Sequence, residues 1–398
     1  QFFHAFGGPG FEVLAEFAQE FSLSNPYGIR VDVQAYGSED LLLSALDTEI
    51  ENGTQPKLIA LHPYELVSLT QAYQPVDLTP YFESPTWGFS MDDQTDISTV
   101  FLDQFRVGDR LIALPFAPQA TVLFYNRSWA AELGFSEAPD DEISFREQSS
   151  QAIEANLADL NEENDGLGGW IINHDPQVLL SWFGAFGGEW GEDSTPEFNS
   201  DAGLETFQYL KSVYDEGYFW ISRQPEPYLY FADRNALMYS GRLDQIPDQQ
   251  GWMTLENNSD EWGVIGYPGS ERVITLVDSP GLMVSAGTPE EQMAAWLFAK
   301  FLIEPENQAE IVQTLFTLPV RLSTIDLLPA FIDQYPQWMD AFNLIKISKP
   351  VPTAEEWGIA QWVLQDASYR VFPYEDVNLA EILEQVDATV EDLERITP

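Results

Sequence analysis

The stretch FFHAFGGPGFEVLAEFAQEF, residues 2–21, followed by IRVDVQAY, residues 29–36, decides the class of fold. Residues 2–6 read as a short aromatic strand, and residues 10–21 repeat apolar positions at helical spacing. NPYG at 25–28 breaks the helix, and IRVDVQAY alternates as a strand does. A strand, a helix and a second strand in this order predict an α/β unit with a parallel sheet.

The alternation of strands and helices continues and is then interrupted twice. Ser38 is placed as the N-cap of a helix that Gly53 ends, and the apolar strand KLIALHPY follows at 57–64. GDRLIALPFAPQATVLFYN at 108–126 contains two strands with no helix between them, which indicates a crossing to another lobe. A similar block at 271–287 leads into a helix whose Thr288 and Glu291 fit a capping box.

The amino-acid composition limits which partners the protein can bind and which kinds of chemistry it can perform. The chain has 398 residues, enough for two domains, and its 44% hydrophobic residues exclude a disordered chain. It has 65 Asp and Glu against 17 Lys and Arg, a net charge of -48. Such a surface repels phosphate backbones, so we expect no nucleic-acid partner; solubility or a salty or acidic exterior explains the acidity. With no cysteine, disulfides, thiolate metal sites and Cys nucleophiles are excluded.

The sequence also bears on location. No apolar run reaches the length of a membrane-spanning helix, and the first residues lack the basic start and long apolar core of a signal peptide. We therefore expect either a cytosolic protein or a processed exported chain.

The sequence lacks complete nucleotide-binding and hydrolase motifs. Gly7, Gly8 and Gly10 follow a strand and open a helix, but a dinucleotide fingerprint starting at Gly8 fails at Val13. A single phosphate could occupy that helix N-terminus, although a turn is the simpler role for the glycines. GxxxxGK[ST], HExxH and GxSxG do not occur in the sequence.

Catalysis and metal binding are also disfavoured. The histidines lie at positions 4, 62 and 174, where each is more often structural, and the carboxylates are too numerous to mark a glycosidase pair. The loop 159–169 places Asn161, Glu163 and Asp165 like calcium ligands, but Ile172 stands where the closing glutamate belongs. A plain acidic loop is favoured over a calcium site, so we predict no enzyme activity, no metal and no cofactor.

Aromatic residues beside turns point instead to a ligand pocket. Sugar rings stack on aromatic faces, while their hydroxyls need carboxylate and amide partners. Ordinary core packing is the better explanation for any single aromatic, but the set favours a carbohydrate or polyol. The aromatics in question are Tyr36, Tyr64, Trp182, Phe183, Tyr239 and Trp357.

Several blocks together resemble the extracellular solute-binding proteins of the sugar-binding family that serves ABC transporters. The blocks are FFHAFGG, LPFAPQATVLFYNRSWAAELGF at 114–135, GGWI at 168–171, TPEEQMAAWLFAKFLIEPENQAEIV at 288–312 and LPVR at 318–321. They run through nearly the whole chain in the family's order. The resemblance implies a periplasmic-binding-protein-like α/β fold, with two lobes joined by hinge strands near 112–118 and 272–280 and a ligand cleft between them.

The opening looks most like family members that bind glycerol-3-phosphate or its diesters, with Phe3 in place of their tryptophan and His4 kept. The resemblance implies ligand contacts for Tyr36 and for the Tyr-Glu pair that ends at Glu65. It also implies a stacking platform at Trp182. The late arginine that would hold a phosphate is not evident around Trp357, and Gln119 stands where those relatives are serine-like. A neutral ligand is therefore favoured.

We predict that lobe 1 comprises residues 1–114 and 276–322, and lobe 2 comprises residues 115–275 and 323–398. Trp182 and Trp357 are expected to stack on the ligand, Glu65 and Gln119 to hydrogen-bond it, and Phe183 and Phe316 are also consistent with core positions. The predicted ligand-binding residues are His4, Tyr36, Glu65, Gln119, Trp182, Phe183, Tyr239, Ser240, Ser279, Gly281, Phe316 and Trp357.

The expected protein is a monomeric substrate-binding component of an ABC importer that delivers a sugar or polyol to permease subunits. It is expected in the periplasm or outside the cell, with a lipid anchor left open. The alternatives are a binder of glycerol-3-phosphate or glycerophosphodiesters, an exported polysaccharide-active enzyme, and a scaffold or sensor that binds a protein.

Overall fold

A computed structural model describes residues 1–173, 175–191, 195–221 and 227–396; His174 lies outside these ranges. The chain forms two compact units. Unit 1 comprises Gln1–Gln119, Val277–Phe331 and Thr353–Glu355, and unit 2 comprises Ala120–Leu276, Ile332–Pro352 and Glu356–Pro398. These bounds differ from the predicted lobes by one to nine residues at the three predicted crossings, and the short return at 353–355 was not predicted. The functional lobes stay a prediction.

The strands are short, and most have three to six residues. Among the described residues they are β1 (Phe2–His4), β2 (Val33–Ala35), β3 (Leu58–Leu61), β4 (Arg106–Val107), β5 (Arg110–Leu111), β6 (Ala113–Pro115), β7 (Gln119–Asn126), β8 (Gly168–Ile172), β9 (Phe219–Ile221), β10 (Ala236–Arg242), β11 (Trp262–Ile265), β12 (Tyr267–Pro268), β13 (Val273–Asp278), β14 (Gly281–Val284) and β15 (Ser348–Pro350).

The helices vary from single turns to the 18-residue C-terminal helix. They are α1 (Pro9–Ser24), α2 (Glu39–Asn52), α3 (Pro63–Ser68), α4 (Thr70–Tyr73), α5 (Thr79–Phe82), α6 (Met91–Asp96), α7 (Thr99–Leu102), α8 (Arg127–Glu132), α9 (Glu142–Ala158), α10 (Pro176–Ala185), α11 (Asp201–Asp215), α12 (Tyr228–Ala232), α13 (Ile246–Leu255), α14 (Pro289–Leu302), α15 (Pro305–Leu315), α16 (Pro329–Gln334), α17 (Pro336–Leu344), α18 (Trp357–Val371) and α19 (Leu379–Ile396). Short 3-10 helices lie at Asp103–Phe105, Leu243–Gln245, Leu322–Leu327 and Ile345–Ile347.

The main sheet of unit 1 has the strand order β2-β1-β3-β14-β6. β1 pairs in parallel with β2 and β3, whereas β14 runs antiparallel to β3 and β6. The register sets His4 beside Ala35, and Gly281 beside both Leu61 and Pro115. The carboxyl ends of β1, β2, β3 and β6 and the start of β14 therefore share one edge of the sheet, called the carboxyl edge below.

The predicted caps of the unit 1 helices are confirmed. Ser38 caps α2 by accepting from the backbone N–H of Leu41 at 3.3 Å, and Gly53 ends that helix with a φ of 68°. Thr288 and Glu291 form the predicted capping box of α14. The predicted order of strand, helix, strand, helix and strand over residues 2–61 is confirmed as well, because caps and apolar spacing are local signals.

Unit 2 is built on a larger mixed sheet. Its strand order is β12-β13-β7-β10-β8-β9, with β11 also beside β7 and β15 beside β13. β10 pairs in parallel with β8 but antiparallel with β7. Large aromatic side chains fill the core, and Trp170, Trp182 and Tyr267 are each fully buried. In the described chain, no helix is both long enough and apolar enough to cross a bilayer.

Candidate functional site

Five of the predicted ligand-binding residues lie at the carboxyl edge of unit 1, and one of them is Ser279, which bonds to Phe116 directly after β6. His4 ends β1, Tyr36 follows β2, Glu65 lies in α3 directly after β3, and Gly281 begins β14. Open α/β sheets bind ligands outside the carboxyl ends of their strands, where side chains from several strands converge. This edge is therefore the candidate site.

His4 supplies a neutral hydrogen-bond donor to this edge. The ring is fully buried, and its Nδ1 accepts from the backbone N–H of Phe6 at 3.1 Å. Burial lowers the pKa of His4 to about 4, so the ring is neutral at pH 7 and carries its proton on Nε2. Nε2 has no hydrogen-bond partner among the residues that the structure describes. A buried donor in this state needs a partner, and a ligand oxygen would provide one.

Tyr36 contributes a half-buried aromatic ring just after the end of β2. Its backbone N–H donates to the carbonyl of His4 at 3.0 Å, which ties it to the end of β1. The Tyr36 hydroxyl donates to Gln34 at 3.1 Å, and its ring centroid lies 5.2 Å from that of Phe3. The ring thus packs on Phe3, with part of its surface open to solvent.

His62 joins two carboxylates at the same edge. Its Nδ1 lies 2.7 Å from Oδ1 of Asp278, and its Nε2 lies 3.0 Å from Oε1 of Glu39. The ring also stacks on Tyr64, with centroids 6.0 Å apart. Burial opposes the charged form, but the carboxylates of Asp278 and Glu39 raise the pKa of His62 well above its ordinary value. His62 is therefore an imidazolium that donates from both nitrogens.

Glu65 lies next to this group and is protonated at neutral pH. Its burial raises the pKa of Glu65 to about 8, and the negative charges of Glu39 and Asp278 act in the same direction while His62 opposes them. The backbone N–H of Glu65 donates to the carbonyl of His62 at 3.2 Å. A protonated carboxyl both donates and accepts, which suits it to a ligand hydroxyl.

Gln119 and Phe316 lie close to each other in unit 1. Nε2 of Gln119 donates to the carbonyl of Leu315 at 3.4 Å, and its Oε1 is buried without a partner in the described residues. Phe316 caps α15 in the left-handed conformation, with a φ of 52°, and its ring centroid lies 5.2 Å from that of Phe331. Phe316 is thus chiefly a packing residue.

Ser279 and Gly281 shape the start of β14. The hydroxyl of Ser279 donates to the carbonyl of Phe116 at 3.1 Å, and its oxygen accepts from the N–H of Phe116 at 3.2 Å. Because Ser279 is fully buried, its side chain joins the end of β6 to the start of β14. A Cβ on Gly281 would overlap the ring of Phe105, so packing requires glycine there.

Trp182 differs from the predicted stacking platform, because protein side chains cover its ring. It lies in α10 and is fully buried in unit 2. Its ring centroid lies between 5.0 and 6.3 Å from those of five other aromatic rings. These rings belong to Phe145, Trp170, Phe186, Tyr209 and Tyr267. Trp182 therefore occupies a core position in unit 2.

The other predicted residues of unit 2 are buried as well. Tyr239 stacks on Phe124 at 4.3 Å between ring centroids, and the hydroxyl oxygen of Ser240 accepts from Nε1 of Trp170 at 3.1 Å. Trp357, predicted to stack on the ligand, is fully buried at the start of α18. Phe183 is buried too, with its ring centroid 5.1 Å from that of Phe198. Ligand contacts by these residues stay a prediction.

The acidic loop at 159–169 uses its side-chain oxygens internally. Oδ1 of Asp159 accepts from the backbone N–H of Asn161 at 2.6 Å, and Oδ2 accepts from Nδ2 of Asn164 at 3.0 Å. Oδ1 of Asn161 in turn accepts from the backbone N–H of Glu163 at 3.2 Å. These bonds are those of a self-supported turn.

Sequence reasoning did not select His62, Glu39 and Asp278. The position of His62 directly after β3 is the signal that could have found it, because ligands bind outside the carboxyl ends of parallel strands. The bond from His62 to Asp278 joins positions 216 residues apart, and no local pattern predicts such a pairing.

Comparisons with known proteins extend this description. Residues 12–340 match the profile of a family described as bacterial extracellular solute-binding protein. No curated protein sequence matches the chain significantly. Among solved structures, the sugar-binding protein MalE from Xanthomonas citri superposes with a TM-score of 0.82 at 19% identity, covering 99% of this chain and 98% of that one.

Two further structures show the same fold. The cyclic alpha-maltosyl-1,6-maltose binding protein of Arthrobacter globiformis has a TM-score of 0.81 at 14% identity, covering 98% of this chain and 97% of that one. UgpB from Mycobacterium tuberculosis, in complex with glycerophosphocholine, has a TM-score of 0.76 at 16% identity, covering 100% and 99%. The predicted two-lobe, periplasmic-binding-protein-like α/β fold is confirmed. The family profile spans most of the chain, and the protein therefore belongs to the bacterial extracellular solute-binding proteins.

Proposed function

We propose that the protein is the substrate-binding component of an ABC importer that captures a carbohydrate or polyol and delivers it to the membrane permease. The observation that carries this proposal is the carboxyl edge of unit 1, where His4 offers a neutral N–H donor, Glu65 offers a protonated carboxyl, and the aromatic residue Tyr36 follows β2. Donors, acceptors and an aromatic ring suit uncharged hydroxyl groups.

The printed ligands of structural relatives point in the same direction. The Arthrobacter globiformis protein binds cyclic alpha-maltosyl-1,6-maltose, the Thermus thermophilus relative was solved with maltotriose, and CpMnBP1 was solved with mannotriose. These relatives share less than a fifth of their residues with this chain, so they support the class of ligand and not its identity.

The positive charges of unit 1 disfavour a phosphorylated ligand. Arg321 is held by Asp93 and by Asp96, and Lys300 donates to a backbone carbonyl. Unit 1 has four more Lys and Arg residues, all within the described residues. Arg30 and Lys57 precede β2 and β3, at the end of these strands opposite the carboxyl edge. Arg106 pairs with Asp103, and Arg110 donates to the carbonyl of Pro75. Anionic phosphate needs such groups or a row of backbone N–H donors.

Binding of glycerol-3-phosphate or a glycerophosphodiester is the second candidate, because UgpB was solved with glycerophosphocholine. A polysaccharide-active enzyme is the third. It would need two carboxyl groups placed to flank a glycosidic bond. At the carboxyl edge, Glu39 and Asp278 are instead bonded to His62, so we expect no turnover.

The proposal includes the ligand cleft between two lobes that the sequence predicts. Ligand binding would favour the closed form, because that form makes contacts that the open form lacks, and the permease would recognise it. We place the protein in the periplasm or at the outer cell surface, acting as a monomer.

A thermal-unfolding screen tests the proposal. The full chain is mixed with maltotriose, mannotriose, other neutral oligosaccharides and polyols, glycerol-3-phosphate or glycerophosphocholine. A ligand at about 100 times its Kd should add roughly 2.7 kcal/mol to the free energy of unfolding, which raises the Tm measurably. We expect a neutral sugar or polyol to raise the Tm and to be recovered intact.

Glu65→Gln changes a residue of the candidate site, and Glu51→Gln is its matched control. Glu51 is exposed on α2, away from the carboxyl edge, so its variant should bind like the wild type. A shift given only by phosphate esters would favour the second candidate, and cleavage of an oligosaccharide would favour the third. The absence of any shift across the sugars and esters would contradict small-molecule transport.

A further inference from the structure

A charged histidine joins three separate chain segments at the candidate site. His62 directly follows β3, Glu39 is the first residue of α2, and Asp278 is the last residue of β13. We propose that His62 is a positioning residue for the ligand: an imidazolium that fixes the Glu39 and Asp278 carboxylates in the orientation in which they accept ligand hydroxyls. The link to a ligand rests on the proposed function.

The geometry favours the charged form of the ring. Both nitrogens lie within hydrogen-bond distance of a carboxylate oxygen, at 2.7 Å for Asp278 and 3.0 Å for Glu39. A neutral imidazole has only one N–H and would turn a lone pair towards one of the two carboxylates. Charge-assisted hydrogen bonds to both carboxylates therefore hold the ring, and the ring in turn holds the carboxylates.

The two bonds are not equivalent. The side chain of Asp278 is 5% exposed, whereas that of Glu39 is 32% exposed and that of His62 is 17% exposed. The bond to Asp278 is therefore the better shielded, and solvent weakens the bond to Glu39. Breaking the shielded bond leaves a buried carboxylate without its counter-ion, which is costly.

The groups that face His62 come from three elements. They are Glu39 of α2, Asp278 of β13, and Tyr64 and Glu65 of α3. A carboxylate has room for several hydrogen bonds and can accept from a ligand while it accepts from His62. With the protonated carboxyl of Glu65 alongside, the edge presents fixed acceptors next to a donor, the arrangement that vicinal hydroxyl groups match.

The charge state of the ring is tested first, without any ligand. The ring nitrogens of the full-length protein are followed by ¹⁵N NMR from pH 6 to pH 10, and the His62 signals are assigned by their loss in His62→Gln. We expect both nitrogens to carry protons at pH 7, while His4 shows one protonated nitrogen. A His62 ring that is neutral at pH 7 overturns the proposal.

The positioning role is tested by binding. The affinities for maltotriose and mannotriose are measured by calorimetry at pH 7 for the wild type, His62→Gln, Asp278→Asn, the double variant and the control Glu51→Gln. We expect at least a tenfold loss of affinity in His62→Gln and in Asp278→Asn. The double variant should lose much less than the product of the two losses, because both changes break one unit.

Stability measurements distinguish the positioning role of His62 from a purely structural one. The Tm of each variant is measured with and without sugar, and folded single variants that bind like the wild type overturn the positioning role. Multiplicative losses in the double variant overturn it as well. If the ring proves charged but neither sugar binds the wild type, the positioning role is overturned for these sugars, and the screen of neutral and phosphorylated ligands decides separately whether the proposed function stands.

Discussion

Replacing His4 by asparagine should remove a pH-dependent loss of stability. Because burial lowers the pKa of His4 from an ordinary 6.5 to about 4, the unfolded chain binds a proton between these values and the folded chain does not. The stabilisation is thus fully present above pH 6.5 and is lost as the pH falls towards 4. Between pH 7.5 and pH 5.0 this single group should cost about 2 kcal/mol of unfolding free energy.

The asparagine variant is chosen to keep the local geometry. Its side-chain carbonyl can accept from the backbone N–H of Phe6, as Nδ1 of His4 does at 3.1 Å, but it does not titrate. Urea unfolding at pH 7.5 and pH 5.0 gives the change in stability for each protein, and hydrogen exchange of the peptide that contains β1 identifies the transition of unit 1. The wild type should lose about 2 kcal/mol more than the variant over this interval.

Comparing the two proteins cancels the titration of the carboxyl groups that both share. Parallel pH dependences of wild type and variant would refute the reasoning, because they would mean that His4 protonates equally in both states. A larger loss in the variant would contradict the sign. At pH 5.0 both proteins remain above the isoelectric point of about 4.1, which limits precipitation.

Three further changes test the packing and the charge of the molecule. Trp182→Ala should lower the free energy of unfolding of unit 2 by about 3–5 kcal/mol in urea, because five rings lose a packing partner. A loss below about 1 kcal/mol would contradict a core role. Gly281→Ala should lower the free energy of unfolding by about 1–3 kcal/mol, because the new methyl group overlaps the ring of Phe105. Adding Phe105→Leu should restore part of this stability. If Gly281→Ala loses no stability, the ring of Phe105 moves freely. Raising NaCl from about 0.1 M to about 1 M should raise the Tm, since screening weakens repulsion within a chain of net charge -48, and a falling Tm would show that repulsion is not limiting.

Local signals in the sequence were enough to predict the order of elements in unit 1. IRVDVQAY has the alternation of a strand over residues 29–36, but only Val33–Ala35 pair, because the neighbouring β1 is itself three residues long. Residues 2–6 shorten to Phe2–His4 for a local reason. The N–H of Phe6 bonds to the ring of His4, and the chain turns at Gly8 with a φ of 52°. Strand ends depend on partners, which local patterns do not contain.

Half of the candidate site could also be predicted. The rule that ligands bind at strand ends led to His4, and the family resemblance implied Tyr36, Glu65 and Gly281. The fold brings the backbone positions of all four to one edge of the sheet. The rule that aromatics beside turns stack on sugars led to Trp182, whose ring the structure packs into the core of unit 2. A tryptophan next to a glycine turn has the same local sequence whether its ring faces a ligand or five other rings, so the sequence alone could not separate the two roles.

The acidity of the whole chain does not extend unchanged to the candidate site. At the carboxyl edge, the carboxylates of Glu39 and Asp278 share the imidazolium of His62, while burial keeps Glu65 protonated and His4 neutral at pH 7. Two negative charges and one positive charge leave a single net negative charge among these five groups. The same burial turns Glu65 into a hydrogen-bond donor and leaves His4 with one N–H donor, on Nε2. Exposed carboxylates elsewhere on the surface can therefore keep the protein soluble, while the candidate site stays suited to an uncharged, hydroxyl-rich ligand.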